Sequence, residues 1–431
     1  MPHASDADGS THRISPARLA EFREQRFGLF IHWGLYALAA RHEWVKQREG
    51  LTDEQYQPYF EHFDPDLFDP DAWAEAAAGA GMRYMVLTTK HHDGFCLWDS
   101  ALTDYSVAGT PHGKDLVGPI VEAFRGRGLG VGFYHSLLDW HHPDFPIDGL
   151  HPAWREGLTN NDRDITKYQA YLHGQVEELL TRYGRIDTMW FDFSYTNRRR
   201  NGKLTPGAKG AADWRSEELA ALVRRLQPDI MINNRLEIPG DFTTPEQFQP
   251  AAAPAEVWEA CQTLNGSWGY DRDNLDYKSV DLLVRMLVDS VSKNGNLLLN
   301  VGPDGRGAFD PRALETLRGI GDWMRLHGRS IYGAGPSTFE APPDCRYTQR
   351  GDRLYVHLLA WPYRHLHLPG LAGKVRYAQL LNDASEIRTL VPDPAVDSGN
   401  SQLGTLPPET LTLQLPVQRP DVAVPVIELF L

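Results

Sequence analysis

The chain has 431 residues, 42% hydrophobic and 23% charged, which suits a globular fold with a sizeable core and excludes disordered or collagen-like composition. Its formal net charge of −14 opposes attraction to phosphate backbones or anionic membranes, so neither nucleic-acid nor membrane partners are expected. Three cysteines (Cys96, Cys261, Cys345) form no disulfide framework, no run approaches the ~20 apolar residues of a membrane span, and no signal-peptide-like run opens the chain, so a soluble cytoplasmic protein is expected.

Residues 1–15 are polar and read as a mobile N-terminus. Seven short apolar runs follow: Phe27–Gly34, Tyr84–Lys90, Gly130–Ser136, Ile186–Phe193, Asp229–Arg235, Glu256–Cys261 and Asn296–Gly302. Segments with helical spacing separate them, such as DPDAWAEAAAGAG, LVGPIVEAFRGRG, ITKYQAYLHGQVEELLTRYG and SEELAALVRRLQP. Strand–helix alternation predicts a parallel sheet with helices outside. A full barrel needs eight strands, so the seven runs predict an α/β fold of distorted (β/α)8-like TIM-barrel type over residues 16–335. Asp310-Pro311 predicts the start of a last helix reaching about His327. From residue 336 to 431 short alternating runs split by Pro, Gly and Asp predict an antiparallel β-sandwich.

The apolar runs end in polar residues: His32, the pair His91-His92, His135, Asp192, Asn233-Asn234-Arg235 and Asn300. In an α/β barrel the chemistry sits at these strand ends. Period two places Trp190 and Asp192 on one face, with Met189 and Phe191 turned towards the helices. A carboxylate held by donors at a buried strand end can serve as a nucleophile, or simply accept loop N–H groups. Glu43, Glu246 and Glu259 all lie near strand ends, and spacing does not choose a second carboxylate among them. The four histidines fit a metal site or hydrogen bonds to a hydroxylated ligand equally well; adjacent His91 and His92 face opposite ways unless the backbone leaves the strand there. Twelve tryptophans suit stacking on sugar rings as well as ordinary core filling.

FGLFIHWG, HEW, TTKHHDGFCLWDSALTDYSV, GKDLV, GVGFYHSLLDW, MWFDF, INNR, GDFTTPEQ, WEACQTLNGSWGY and NLLLNVGPDGRG, in this order over about residues 20–330, resemble the α-L-fucosidase family, glycoside hydrolase family 29. The resemblance implies retaining hydrolysis of α-L-fucosyl linkages in a small fucosylated glycan, with Asp192 as nucleophile and Glu246 as acid/base. It implies a fucose pocket made by His32, Glu43, Trp44, His91, His92, Tyr134, Trp190 and Arg235. No cofactor and no metal ion is expected, and self-association into a homo-oligomer is left open. Alternatives are a metal-dependent hydrolase using the strand-end histidines, and a related α-L-glycosidase or transglycosylase. Phe193 stands where many members carry Gly and His135 where a Tyr is common; both are expected to alter the pocket wall. The loop reads HEWVKQREG rather than the usual Glu-Trp-Tyr. The basic segment TNRRRNGKLTPGAKG (196–210) reads first as a solvated loop, with contact to the leaving group as the alternative.

Overall fold

A computed structural model describes residues 14–200, 202–391, 406–407 and 409–431. Each expected apolar run overlaps a strand: β1 (Phe27–Ile31), β2 (Tyr84–Lys90), β3 (Gly130–Ser136), β4 (Thr188–Asp192), β5 (Met231–Ile232), β6 (Glu259–Thr263) and β7 (Asn296–Val301). Among the described residues they form one parallel sheet in the spatial order β5-β4-β3-β2-β1-β7-β6. The gap between β5 and β6 is spanned by residues 242–247. Asn234 N donates to Phe242 O, Thr243 N to Val257 O, Cys261 N to Pro245 O and Gln247 N to Cys261 O. The eighth position of the barrel is therefore filled by a segment too irregular to make a strand. Pro245 has no N–H to offer, and Gln247 sits at φ +58°. The same segment explains two shifts from the expected runs. The chain turns at Asn234, leaving β5 two residues long, and residues 257 and 258 pair with it ahead of β6.

The barrel interior holds Phe30, Tyr84, Val86, Tyr134, Trp190, Met231, Cys261 and Leu298, while Leu29, Met85, Phe133, Met189 and Phe191 pack outward under the helices. This is the predicted alternation. Helix α1 (Pro16–Gln25) supplies Phe22 to the interior cluster, and Arg18 ties it to the Asp187 and Asp229 carbonyls. Ser15 caps α1 and Ile14 is buried in the same cluster, so these two residues belong to the fold; residues 1–13 of the expected mobile terminus lie outside the described residues. The outer helices include α2 (Pro70–Gly79), α3 (Val117–Gly126), α4 (Ile165–Arg182), α5 (Ser216–Leu226), α6 (Val280–Ser292) and α7 (Pro311–His327). Asp310 caps α7 as its sequence predicts, accepting the Arg312 N–H at 2.8 Å.

After α7 the strands are antiparallel. One sheet is built from β8 (Cys345–Arg350), β9 (Arg353–Leu358), β11 (Tyr377–Leu380) and β14 (Val426–Phe430); the other from β10 (His365–Leu368), β12 (Arg388–Leu390) and β13 (Leu411–Gln414). Leu354, Val356 and Leu358 of β9 face the core between these sheets, whereas Tyr355 joins the core shared with the barrel. His357 on that same face lies near Trp323 of α7. Two neutral histidines sit at this junction. His327 donates Nδ1–H to Trp323 O and its Nε2 has no partner; His357 bonds Thr348 through Nε2 and its Nδ1 has none. Burial lowers His327 to about 4 and His357 to about 3, against about 6.5 unfolded. The unfolded chain therefore binds protons first, and stability present above pH 6.5 is lost as pH falls towards these values, at up to about 1.4 kcal/mol per pH unit for each group. The melting temperature is expected to drop steeply from pH 6.5 downward, with a shallower slope in His357→Asn. A melting temperature that stays level over that window would refute this.

Candidate active site

Strand register brings the first groups together. Tyr134 lies opposite Trp190 and Ser136 opposite Asp192 across β3 and β4. The Tyr134 and Trp190 rings stack at 5.7 Å, and the Tyr134 hydroxyl donates to Asp192 Oδ2 at 2.8 Å. Arg235, just after β5, donates from Nη1 to Asp192 Oδ1 at 2.9 Å and from Nη2 to Glu246 Oε2 at 2.8 Å. Thr244 holds the same guanidinium from below through Nε, and its face covers the Trp190 ring at 4.8 Å. One guanidinium thus bridges a carboxylate at the end of β4 and one on the irregular segment 242–247, which requires them to sit close together. Asp192 is nearly buried and Glu246 is exposed. Burial raises Asp192 to about 6, the Glu246 charge adding to the rise while Arg235 opposes it.

Neither of the other two candidate glutamates bonds Arg235. Glu259 is fully buried inside the barrel, bonded to the Tyr84 hydroxyl and to Trp190 Nε1, so it supports the floor instead of facing the mouth. Gly28 makes room for this arrangement: a Cβ there would meet the Tyr84 ring at 2.4 Å. Burial raises Glu259 to about 7. Glu43 is also buried. Its Oε2 accepts the N–H groups of Trp268 (3.2 Å) and Gly269 (2.9 Å). Only Gly fits at 269, because a Cβ would meet the Tyr36 ring at 2.8 Å. Glu43 Oε1 lies 3.0 Å from His42 Nδ1, but that nitrogen already accepts the Trp44 N–H, and burial keeps His42 neutral. Oε1 is left without a donor. Burial lifts Glu43 to about 7.

The histidine tautomers follow from their partners. Asn300 Oδ1 can only accept, so His32 donates Nδ1–H to it at 2.6 Å and keeps Nε2 as an acceptor; Asn300 Nδ2 meanwhile donates to Trp268 O. Ser136 gives its proton to Leu138 O, so it accepts from His92 Nδ1, and His92 Nε2 is an acceptor 4.0 Å from Asp192 Oδ2. His32 is lowered to about 3 and His92 well below its ordinary value, both by burial, so neither pairs as a cation. β2 shifts register between Thr88 and Lys90 and ends there, so the backbone has left the strand at the His pair. The two rings lie 4.0 Å apart, and His91 stacks on Tyr134. Among the described residues no group of three or more His, Cys, Asp or Glu side chains could hold a metal ion. His135 departs from expectation: its alternate strand position turns it outward to Thr89 and Trp98, away from the pocket wall.

Phe193 does form the wall. Directly after Asp192 it adopts φ +82°, a strained conformation for a bulky residue that Gly would relieve. Its ring packs against Trp44, His92 and Tyr195. A cleft of about 1340 Å³ opens above these groups, lined at its inner end by Glu43, Trp44, Phe193, Arg235, Glu246 and Trp268.

A family model described as Alpha-L-fucosidase matches residues 9–329. Tissue alpha-L-fucosidase of Bos taurus is 31% identical over 373 residues, covering 80% of this chain and 75% of the bovine one. Alpha-L-fucosidase isoenzyme 1 from Paenibacillus thiaminolyticus is 45% identical, with a TM-score of 0.87 over 96% of this chain and 98% of that one. The chain belongs to the α-L-fucosidase family. A further structure similar to it is a family 29 α-L-fucosidase from Bacteroides thetaiotaomicron, trapped as a covalent intermediate with 2-fluoro-fucosyl fluoride. It is 27% identical, with a TM-score of 0.81 over 100% of this chain and 99% of that one.

The fold gathers all ten expected site residues around the barrel mouth, with Trp190 presenting its face to Arg235. Sequence reasoning did not assign Trp268, whose ring lies 5.1 Å from His32, nor Thr244, Ser136 and Gly269. The glycines flanking Trp268 in GSWGY signal a tight loop, but which side of the barrel it covers is a tertiary fact.

Proposed function

We propose that Asp192 and Glu246 carry a double displacement on α-L-fucosides at this cleft. The observation that supports this most directly is the Arg235 guanidinium bridging both carboxylates. In the first step an Asp192 oxygen attacks the anomeric carbon, the glycosidic bond breaks, and Glu246 gives its proton to the departing oxygen. In the second, Glu246 takes a proton from water, whose oxygen displaces Asp192 and restores the anomeric configuration. The acceptor nitrogens of His32 and His92 and the donor-free Glu43 Oε1 suit the ring hydroxyls of L-fucose. Trp44 and Trp268 suit its apolar edge and C5 methyl group. Glu246, exposed where Asp192 is buried, stands on the side from which a leaving group and water arrive. A cytoplasmic location belongs to the same proposal, in keeping with three buried, unpaired cysteines.

Following an aryl α-L-fucoside by NMR tests the reading: α-L-fucose should appear first. The β-anomer as first product would overturn it. Asp192 must be ionised to attack, so kcat/KM is expected to decline as pH falls below about 6. Arg235→Met, which removes the cation opposing that rise, should move the acidic limb upward. A wild-type limb at the ordinary carboxylate range near 4 would contradict the burial argument.

A further inference from the structure

We propose that the described residues of the segment, 196–200 and 202–210, make a fixed cationic wall on the leaving-group side of the cleft, and that the preferred substrates are α-L-fucosides whose leaving sugar carries an anionic group. This rests on the fucosidase reading above and names the substrate class within it.

The segment is anchored, contrary to a merely solvated loop. Residues 199–200 and 203–204 form a short antiparallel hairpin. At its base Lys209 and the Tyr195 hydroxyl both bond the buried carboxylate of Asp148, and Lys209 also donates to Pro146 O at 2.9 Å. Tyr195 N bonds Lys209 O, Thr205 N bonds Arg198 O, and Gly149 N bonds Pro206 O. Thr196 is held by Glu237. A buried ion pair of this kind is costly to break, so the base is rigid.

The hairpin's cations face the cleft. Arg198, Arg199 and Lys203 line it together with Glu246. All three are exposed, and none pairs with a carboxylate among the described residues. Arg198 lies over the Phe193 ring at 5.1 Å, one residue beyond Asp192, and its charge is felt at His92. In a chain of net charge −14 an anionic substrate is repelled at long range, so cations massed at one rim of the cleft select for negative charge locally. L-Fucose itself is neutral and Arg235 is already committed to two carboxylates. The negative charge must therefore lie on the other sugar, as a sulfate ester or a carboxylate.

The test compares kcat/KM for matched fucosyl disaccharides. One pair has N-acetylglucosamine as leaving sugar, with and without a sulfate ester on its primary hydroxyl. The other has galactose or galacturonate. The anionic member of at least one pair is expected to be favoured about tenfold at low ionic strength, and which pair responds distinguishes sulfate from carboxylate. High salt should erase the preference, as should the triple substitution Arg198→Gln, Arg199→Gln, Lys203→Gln, while Arg198→Lys with Arg199→Lys should keep it. Equal or inverted rates for both pairs in the wild-type protein, with a neutral aryl fucoside still turned over, would overturn the anion preference alone. No turnover of the aryl fucoside would overturn the reading beneath it.

Discussion

Asp192→Gly is expected to lower turnover of an aryl α-L-fucoside by about ten-thousandfold or more, because no covalent intermediate can form. The substitution also empties a space at the end of β4 that Tyr134 and Arg235 border. Azide fits such a space and can attack the anomeric carbon from the vacated face. Added azide should therefore restore activity and yield β-L-fucosyl azide, of inverted configuration. Loss of side-chain packing is a small concern, since the strand itself is held by register with β3 and β5. Near-normal hydrolysis by the variant, or rescue giving the α-azide, would remove Asp192 from the nucleophile's role.

Glu246→Ala should separate the two half-reactions. For a disaccharide, whose leaving oxygen needs a proton, kcat/KM is expected to fall by about 10²–10⁴. For a dinitrophenyl fucoside, whose leaving group departs unprotonated, the first step should survive and the intermediate should accumulate, seen as a burst of phenol. Azide should then attack the fucosyl-enzyme in place of water and give α-L-fucosyl azide, of retained configuration. The opposite stereochemistry in the two variants is the discriminating result. If Glu246→Ala lowered both substrates equally and azide gave no product, Glu246 would be only a partner of Arg235, whose Nη2 it accepts.

Much of this was legible along the chain. Six of the seven strands lie within the apolar runs, because a strand buried on both faces has few alternatives to Val, Ile, Leu, Met and Phe, while β6 overlaps its run only in part. Period two placed Trp190 and Asp192 on the inner face and Met189 and Phe191 on the outer one, as the two separate cores show. Asp310-Pro311 marked its helix start for a local reason, the cap. These are short-range effects, carried by neighbours in sequence. The eighth barrel position was not legible: residues 242–247 lack a strand's period, and only the edges of β5 and β6 draw them into place. With them comes Glu246, which spacing alone could not prefer over Glu43 or Glu259. Tertiary structure separated the three by burial and partners: one under the floor on Tyr84 and Trp190, one on the Trp268–Gly269 amides, one at the mouth on Arg235. It likewise turned His91 and His92 to one side and His135 away. Local pattern determined which segments would be strands and which faces apolar; only closure of the barrel, a balance of long-range pairing and desolvation, decided which polar groups would meet.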